Sequence, residues 1–347
     1  MKPVFLCLLA MLTAASAVQD KIEPALASNG EGIAALCAEN GLAGRVAWVS
    51  DCEGDLEIYV MDLDTGLPDR ITYNTCADRS PALSPDGRYL AWVSEMYGQP
   101  DLYLMDLNNT GRDRVWDKLT DTPGVENDLS WSADGERIYF SSYEAIDYGA
   151  VGLFAGSTEE LEHLSGRRNC FAVYYYDLER GVLEPQSLEP GDYRWPVHVA
   201  GFGVVCVYEP WSELVSPFTA GLVFVHDALA NSDLATPGDE VFGPLRRFPD
   251  GTLLVPYREG ELMYGARMDA PTETVLSSRP LEPDRFNLAP DPAGGDWFIG
   301  QTADVGDPSS EIILFGSGAE SELPVEIRLT ENESYDGEPA WAAVKGE

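Results

Sequence analysis

Side chains able to ligate a metal or carry out nucleophilic chemistry are thinly spread in this sequence. Its three histidines, His163, His198 and His226, fall in three separate segments. Metal-binding histidines usually come at close helical or hairpin spacing, so this scatter reads as structural histidine. The six cysteines include no Cys-x-x-Cys pair, which removes the usual zinc spacing. Neither a Gly-x-Ser-x-Gly nucleophile turn nor a Gly-rich phosphate loop occurs. Asp62-Leu63-Asp64-Thr65-Gly66 looks like the first half of a calcium loop, but the distal Glu is missing. Asp106-Leu107-Asn108 and Asp177-Leu178-Glu179-Arg180-Gly181 stand in the same place after similar runs, so a recurring hairpin turn accounts for all three. Carboxylates are the abundant resource. With 59 Asp+Glu, close pairs of the kind that cleave glycosides arise by chance, so a pair alone carries no weight. No catalytic residue, metal or cofactor is expected.

The charge balance narrows the partner. Lys+Arg number 22, giving a net charge of −37. Nucleic acid is excluded, because phosphate binding needs a basic face. Docking on anionic lipid is disfavoured for the same reason. Hydrophobic residues at 44% and aromatics at 10% are values of a folded chain, so the acidity does not signal disorder.

Met1-Lys2-Pro3, the apolar run Val4–Leu12 and the small-x-small triplet Ala15-Ser16-Ala17 predict a secretory signal over residues 1–17. That run is too short for a permanent span, and no later run is long enough, so no membrane insertion is expected after cleavage. The mature chain would be periplasmic or secreted, with five cysteines, an odd number that allows at most two internal bridges. Residues 18–44 form a short N-terminal segment with room for one helix around Glu31–Glu39.

Internal repeats dictate the elements that position everything else. Val46-Ala47-Trp48-Val49-Ser50 recurs as Leu90-Ala91-Trp92-Val93-Ser94 and as Ile138-Tyr139-Phe140-Ser141-Ser142. Ile58-Tyr59-Val60-Met61-Asp62 recurs as Leu102-Tyr103-Leu104-Met105-Asp106 and as Val173-Tyr174-Tyr175-Tyr176-Asp177. Arg70-Ile71-Thr72 returns as Lys118-Leu119-Thr120 and Arg328-Leu329-Thr330, and Ser84-Pro85-Asp86-Gly87 as Ser132-Ala133-Asp134-Gly135. Each unit reads as four short β-branched and aromatic strands separated by Gly, Pro, Asp and Asn turns. Innermost strands are expected near Pro81, Leu129, Trp195, Leu245, Phe286 and Pro339, which makes six units of about 49 residues. The expectation is an all-β, six-bladed propeller over residues 45–347. Its repeats open on a second strand and close on a lone first strand, so both chain ends share one blade and no sheet edge is left open.

The succession Arg-Leu-Thr, Pro-x-Trp, Ser-Pro-Asp-Gly, Ile-Ala-Trp, Ile-Tyr-x-Met-Asp resembles the repeats of TolB-like six-bladed propellers. The resemblance is strong over residues 45–142 and 325–341 and weak from 193 to 320. It implies an exported protein that binds an envelope-associated protein or peptide partner. The α/β domain that precedes the propeller in TolB has no counterpart in Val18–Gly44. Similar repeats also occur in the propellers of prolyl-oligopeptidase-type enzymes.

Strand alternation puts the Asp-Gly turns on one face of such a ring and the long connections, including Tyr143–Asn169 and Glu209–Ala220, on the other. Binding usually sits on long loops held by a rigid scaffold. Residues just before each inner strand should converge there on the tunnel mouth: Arg79, Asn127, Asp128, Arg194, Arg285, Asp336 and Glu338. Trp211 and Phe218, in the blade-four loop, are candidate aromatic anchors. The expected function is non-enzymatic binding of a protein or peptide on this face. The rival is a carbohydrate-active lyase or hydrolase using carboxylates at the mouth. Cys52 and Cys76 leave the same blade on this face and are the disulfide candidates, with Cys37 as competitor.

Overall fold

The computed structural model describes residues 30–109, 115–147, 167–187, 191–209, 220–227, 230–281, 285–302, 309–317 and 324–344. Short strands rich in Val, Ile, Tyr and Trp form because such side chains pack well on a pleated surface. The first three are β1 (Arg45–Ser50), β2 (Glu57–Asp62) and β3 (Leu67–Arg70). Four complete sheets follow in sequence order. They are β4 (Asp78–Leu83), β5 (Tyr89–Ser94), β6 (Asp101–Asp106), β7 (Trp116–Lys118); then β8 (Val125–Trp131), β9 (Arg137–Asp147), β10 (Arg167–Asp177), β11 (Val182–Ser187). Next come β12 (Asp192–Val199), β13 (Gly203–Glu209), β14 (Gly221–Asp227), β15 (Ala230–Leu234); then β16 (Glu240–Val241), β17 (Arg246–Arg247), β18 (Leu253–Glu259), β19 (Leu262–Asp269), β20 (Thr274–Pro280). A sixth sheet holds β21 (Arg285–Pro290), β22 (Phe298–Thr302), β23 (Ile312–Ser317) and β24 (Pro324–Arg328). Finally β25 (Asp336–Ala342) pairs antiparallel with β1, Ala340 opposite Ala47, and completes the first blade. The expected six-bladed propeller closed by both termini is therefore present.

Two details depart from the expected strand plan. The inner strand of the fifth blade is split into β16 and β17 by Phe242–Leu245, where Gly243 has φ 70° and Pro244 has no N–H for the ladder. In the third blade β9 and β10 extend the hairpin well into the segment expected to be loop, pairing Asp147 with Arg167. Residues 148–166 lie outside the described residues.

The repeat turns show why their residues recur. Ser84 Oγ donates to Asp86 Oδ1 at 2.6 Å and accepts from Tyr89 N at 2.9 Å, while Gly87 takes φ 70°. Ser132, Asp134 and Arg137 N repeat the arrangement, with Gly135 at φ 76°. Serine, aspartate and glycine each satisfy a separate need of one hairpin.

The core consists of six wedges, each filled by two adjoining sheets. Trp92 and Tyr103 stack at 5.7 Å in one, and Trp48 and Tyr59 repeat that pair at 5.7 Å in the next. A helix over residues 30–39 closes the seam between the last blade and the first. Its Ile33 and Cys37, with Leu42, pack on Trp48, Ile312, Leu314 and Trp341. Among the described residues no helix is long and apolar enough to cross a membrane.

Candidate functional site

The inner strands β25, β4, β8, β12, β17 and β21 ring a central bore. Toward the long-loop face each carries an irregularity of the same kind. Ser80, Asp128, Trp195, Asn287 and Glu338 all adopt left-handed backbone, with φ between 51° and 57°, and Gly243 does so in the fifth blade. The ladder slips at those points, between Arg79 and Ala82, Asn127 and Ser130, Arg194 and Val197, and Phe286 and Ala289. A non-glycine residue in this region costs about 1–2 kcal/mol. Its recurrence in five blades shows that the surrounding sheets impose it, and imposed strain is a mark of functional sites.

These bulges line a cavity of about 260 Å³ at the tunnel mouth. Its polar wall is Arg79, Ser80, Asn127, Asp128, Arg194, Arg246, Asn287 and Glu338, with Trp195, Pro81, Leu129 and Pro244 between them. Deeper in the bore lies a second space of about 340 Å³, bounded by Leu83, Trp131, Val197, Leu245 and Trp341 together with Arg246 and Arg247. Arg246 borders both, at the waist.

The charges at the mouth are unequally satisfied. Arg194 grips Asp128 with two bonds, Nε to Oδ2 at 2.5 Å and Nη2 to Oδ1 at 3.1 Å, and its guanidinium lies 4.1 Å from the Phe171 ring. Ser141 Oγ donates to the same Asp128. Glu338 Oε2 accepts from Ser80 N at 2.6 Å. Both mouth carboxylates therefore hold up the ring itself. Burial pushes the Glu338 carboxyl above the usual range, and nearby Asp128 adds to this while Arg79 and Arg246 oppose it. Arg79 touches Glu95 at a loose 3.5 Å, and its buried Nε has no hydrogen-bond partner. Arg246 donates only to Leu245 O at 3.2 Å and has no carboxylate within ion-pair distance among the described residues. Burial lowers its pKa, with Asp128 and Glu338 acting against that.

The structure thus brings Arg79, Asn127, Asp128, Arg194 and Glu338 onto one cavity. It leaves out two others of the expected ring. Arg285 turns to the outer strand β24, where it meets Glu326 at 2.7 Å, and Asp336 is fully buried against Asn332 at 2.6 Å. Arg285 and Asp336 both sit two residues before the left-handed position of their strand, a parity that faces the blade junction and not the bore. Trp211 and Phe218 lie outside the described residues. Arg246, Trp195, Ser80 and Asn287 escaped the sequence reading. Three of the left-handed residues precede a proline, in Ser80-Pro81, Trp195-Pro196 and Glu338-Pro339, whereas Asp128 and Asn287 do not, so no single local pattern marks the bulge.

A rim surrounds the mouth. Tyr73, in the β3–β4 connection, is 70% exposed beneath Arg70, and Tyr97, in the β5–β6 loop, is 68% exposed beside Lys118. Cys52 and Cys76, the expected disulfide pair, also stand on this face, each as a free thiol in this structure. Cys52 Sγ instead meets Tyr59 Oη at 3.1 Å, and Cys76 N is held by Asn74 Oδ1 at 2.7 Å. Cys37 is a buried free thiol in the helix, and burial pushes it up to about 11.

The connections that carry the rim are anchored by a motif present at three successive blade junctions. Thr72, Thr120 and Thr330 each accept from an amide at the start of the neighbouring strand, Ile58, Leu102 and Ile312, at 2.8–2.9 Å. Each also binds a buried acid, Glu57, Asp101 or Glu311. Two residues on, Asn74, Thr122 and Asn332 donate to a second buried acid, Asp78, Glu126 or Asp336, at 2.5–2.6 Å. Two carboxyl groups therefore share each junction. Desolvation, with Asp101 nearby, pushes Glu126 up to about 7, and desolvation, with Glu311 nearby, pushes Asp336 up to about 6.

No group of three or more His, Cys, Asp or Glu suited to a metal occurs among the described residues. His198 stacks on Tyr139 at 5.6 Å, a structural role. His163 and the His226 side chain lie outside the described residues.

Fold and mouth together define a six-bladed β-propeller with a polar tunnel entrance on its long-loop face. Residues 45–147 match the TolB beta propeller domain, and the chain is a TolB-like six-bladed propeller. The solved structure of TolB from Acinetobacter baumannii is similar at 18% identity and a TM-score of 0.60, over 91% of this chain and 72% of that one. The hydrazine synthase of Kuenenia stuttgartiensis is similar at 11% identity and TM-score 0.58, over 87% of this chain and 47% of that one. An oligogalacturonate lyase from Vibrio parahaemolyticus is similar at 15% identity and TM-score 0.50, over 82% and 74%. Such likeness establishes the fold alone, and the function has to be argued from the site. No curated protein matches the sequence.

Proposed function

We propose that this chain is an exported binding propeller that takes a protein or peptide partner on its long-loop face, at the tunnel mouth. The observation that carries the reading is the composition of that face. Exposed Tyr73 and Tyr97 stand on the rim, and arginines line the mouth of a protein whose net charge is −37. Tyrosine and arginine are the residues that interfaces concentrate, because both bury much area while keeping a polar handle. The carboxylates argue against the lyase or hydrolase alternative, since Asp128 and Glu338 are engaged by Arg194, Ser141 and the Ser80 amide. The resemblance to TolB repeats and the apolar run Val4–Leu12 support export and an envelope-associated partner.

Site-specific photo-crosslinking tests the reading. A photoreactive residue placed at Tyr97 should give adducts in cells, while the same residue at Val275, exposed on the outer strand β20, should give none. Equal adducts at both positions, or none at Tyr97, would refute it.

A further inference from the structure

We propose that the tunnel mouth receives the free C-terminal carboxylate of a peptide, bound between Arg246 and Arg79, with the last side chain passing into the space below. This deepens the binding reading and rests on it. Three observations lead there. Arg246 borders both spaces of the bore and has no carboxylate within ion-pair distance among the described residues. Among the described residues Arg79 reaches only Glu95, at 3.5 Å, and its buried Nε has no hydrogen-bond partner. The third cation, Arg194, is already neutralised by Asp128. Within the cavity three guanidinium groups, Arg79, Arg194 and Arg246, face two carboxylates, Asp128 and Glu338, which leaves one positive charge there, with Glu95 outside the cavity only loosely placed against Arg79 at 3.5 Å. That balance suits a monoanion and is too small for a doubly charged phosphate.

The cavity also shows how it holds a carboxylate. Glu338 lies on the amide of Ser80 at 2.6 Å, so a bulge amide can serve as donor to a planar anion there. A chain terminus fits this position better than an internal Asp or Glu. The bore is ringed by six inner strands, and Arg246 sits at its waist, so only the end of an extended chain reaches it without doubling back. Below the waist the walls include Leu83, Trp131, Val197, Leu245 and Trp341, which accept an apolar side chain, while Arg247 there is turned onto the carbonyls of Trp131 and His198. The acidity of the rest of the surface repels other anions from everywhere else, which sharpens selection for the mouth.

The test uses the mature chain and dye-labelled pools of short random peptides. One pool has free C-termini, one has amidated C-termini, and one is amidated but carries an internal Glu at a fixed position. The free-acid pool should be retained about ten-fold better than either amide pool and enriched in large apolar last residues. Its retention should fall between about 50 and 300 mM NaCl. Arg246→Gln should abolish the preference, Arg246→Lys should keep part of it, and Arg285→Gln, outside the cavity, should leave it intact. Should Arg246→Gln misfold, the salt series and the acid-to-amide ratio of the parent still decide. Equal retention of acid and amide pools, retention of the internal-Glu pool at the free-acid level, or no retention of any pool each overturns the proposal. Adducts at Tyr97 alongside such a result would show the binding face intact and only the carboxylate assignment wrong, whereas no adducts would sink the binding reading itself.

Discussion

The indole nitrogen of Trp341 donates to the carbonyl of Ala43 at 3.1 Å, joining residues 298 positions apart in the chain. The bond sits where β25 pairs with β1 and where the helix over residues 30–39 covers the seam. Both chain ends are thereby built into one blade. Trp341→Ala should cost about 3–5 kcal/mol, because it removes a large buried ring as well as the bond. Trp341→Phe should cost less, keeping most of the packing. Deleting 338–347 should lower the melting temperature further by exposing β1 as an unpaired edge. Thermal melts followed by circular dichroism check all three, and a parental melting temperature in the deletion would exclude closure by the termini.

The Asp128–Arg194 pair spans two blades, with the Asp128 side chain 10% exposed and that of Arg194 31% exposed. Removing one partner leaves a half-buried charge alone, so each single Ala variant should destabilise more than the pair is worth. A double-mutant cycle should return a coupling of about 1–2 kcal/mol, given two charge-assisted bonds at partial exposure. Coupling near zero would mean that the pair does not organise the mouth.

Local motifs made the architecture legible in the sequence. Ser84-Pro85-Asp86-Gly87 and its copies specify a hairpin from within four residues, so the blade count needed no long-range knowledge. The mouth was only partly legible. Arg79, Asn127 and Arg194 immediately precede a left-handed residue and line the cavity, whereas Arg285 and Asp336 stand one residue earlier and face away from it. In a strand one residue of offset exchanges the two faces, and the bulge that sets the offset depends on contacts between blades. Arg246 was hidden for a related reason, since its inner strand is broken at Gly243-Pro244 and matches no other copy.

The threonine of the Arg/Lys-Leu/Ile-Thr repeat has a clear structural duty. Thr330 Oγ1 accepts from Ile312 N at 2.8 Å and donates to Glu311 Oε2 at 2.6 Å, both buried. Thr→Val keeps the shape but leaves an amide and a carboxyl unsatisfied, at about 1–3 kcal/mol. Thr72→Val, Thr120→Val and Thr330→Val should therefore destabilise by similar amounts in denaturant titrations. A neutral result at all three would show that water replaces the hydroxyl.

The last prediction concerns pH. Glu126 and Asp336 are buried at equivalent positions, and desolvation raises them to about 7 and about 6. For Glu126 Asp101 adds to the rise and Thr122 opposes it; for Asp336 Glu311 adds, while Ser50 and Asn332 oppose. In the unfolded chain both titrate near about 4. Between those values the folded protein holds protons that the unfolded chain has released. Their contribution is therefore complete below about pH 4 and is lost as pH rises through about 6 for Asp336 and about 7 for Glu126. The parent should melt at a lower temperature at pH 8 than at pH 5. General repulsion among 59 acids acts in the same direction, so the comparison has to be made against Glu126→Gln/Asp336→Asn, which keeps that repulsion almost unchanged. Between pH 5 and 8 the parent should lose about 5 °C or more beyond the loss in the double variant. Parallel melting curves for the two proteins would place both protons on other groups and leave the junction carboxyls ionised in the folded state.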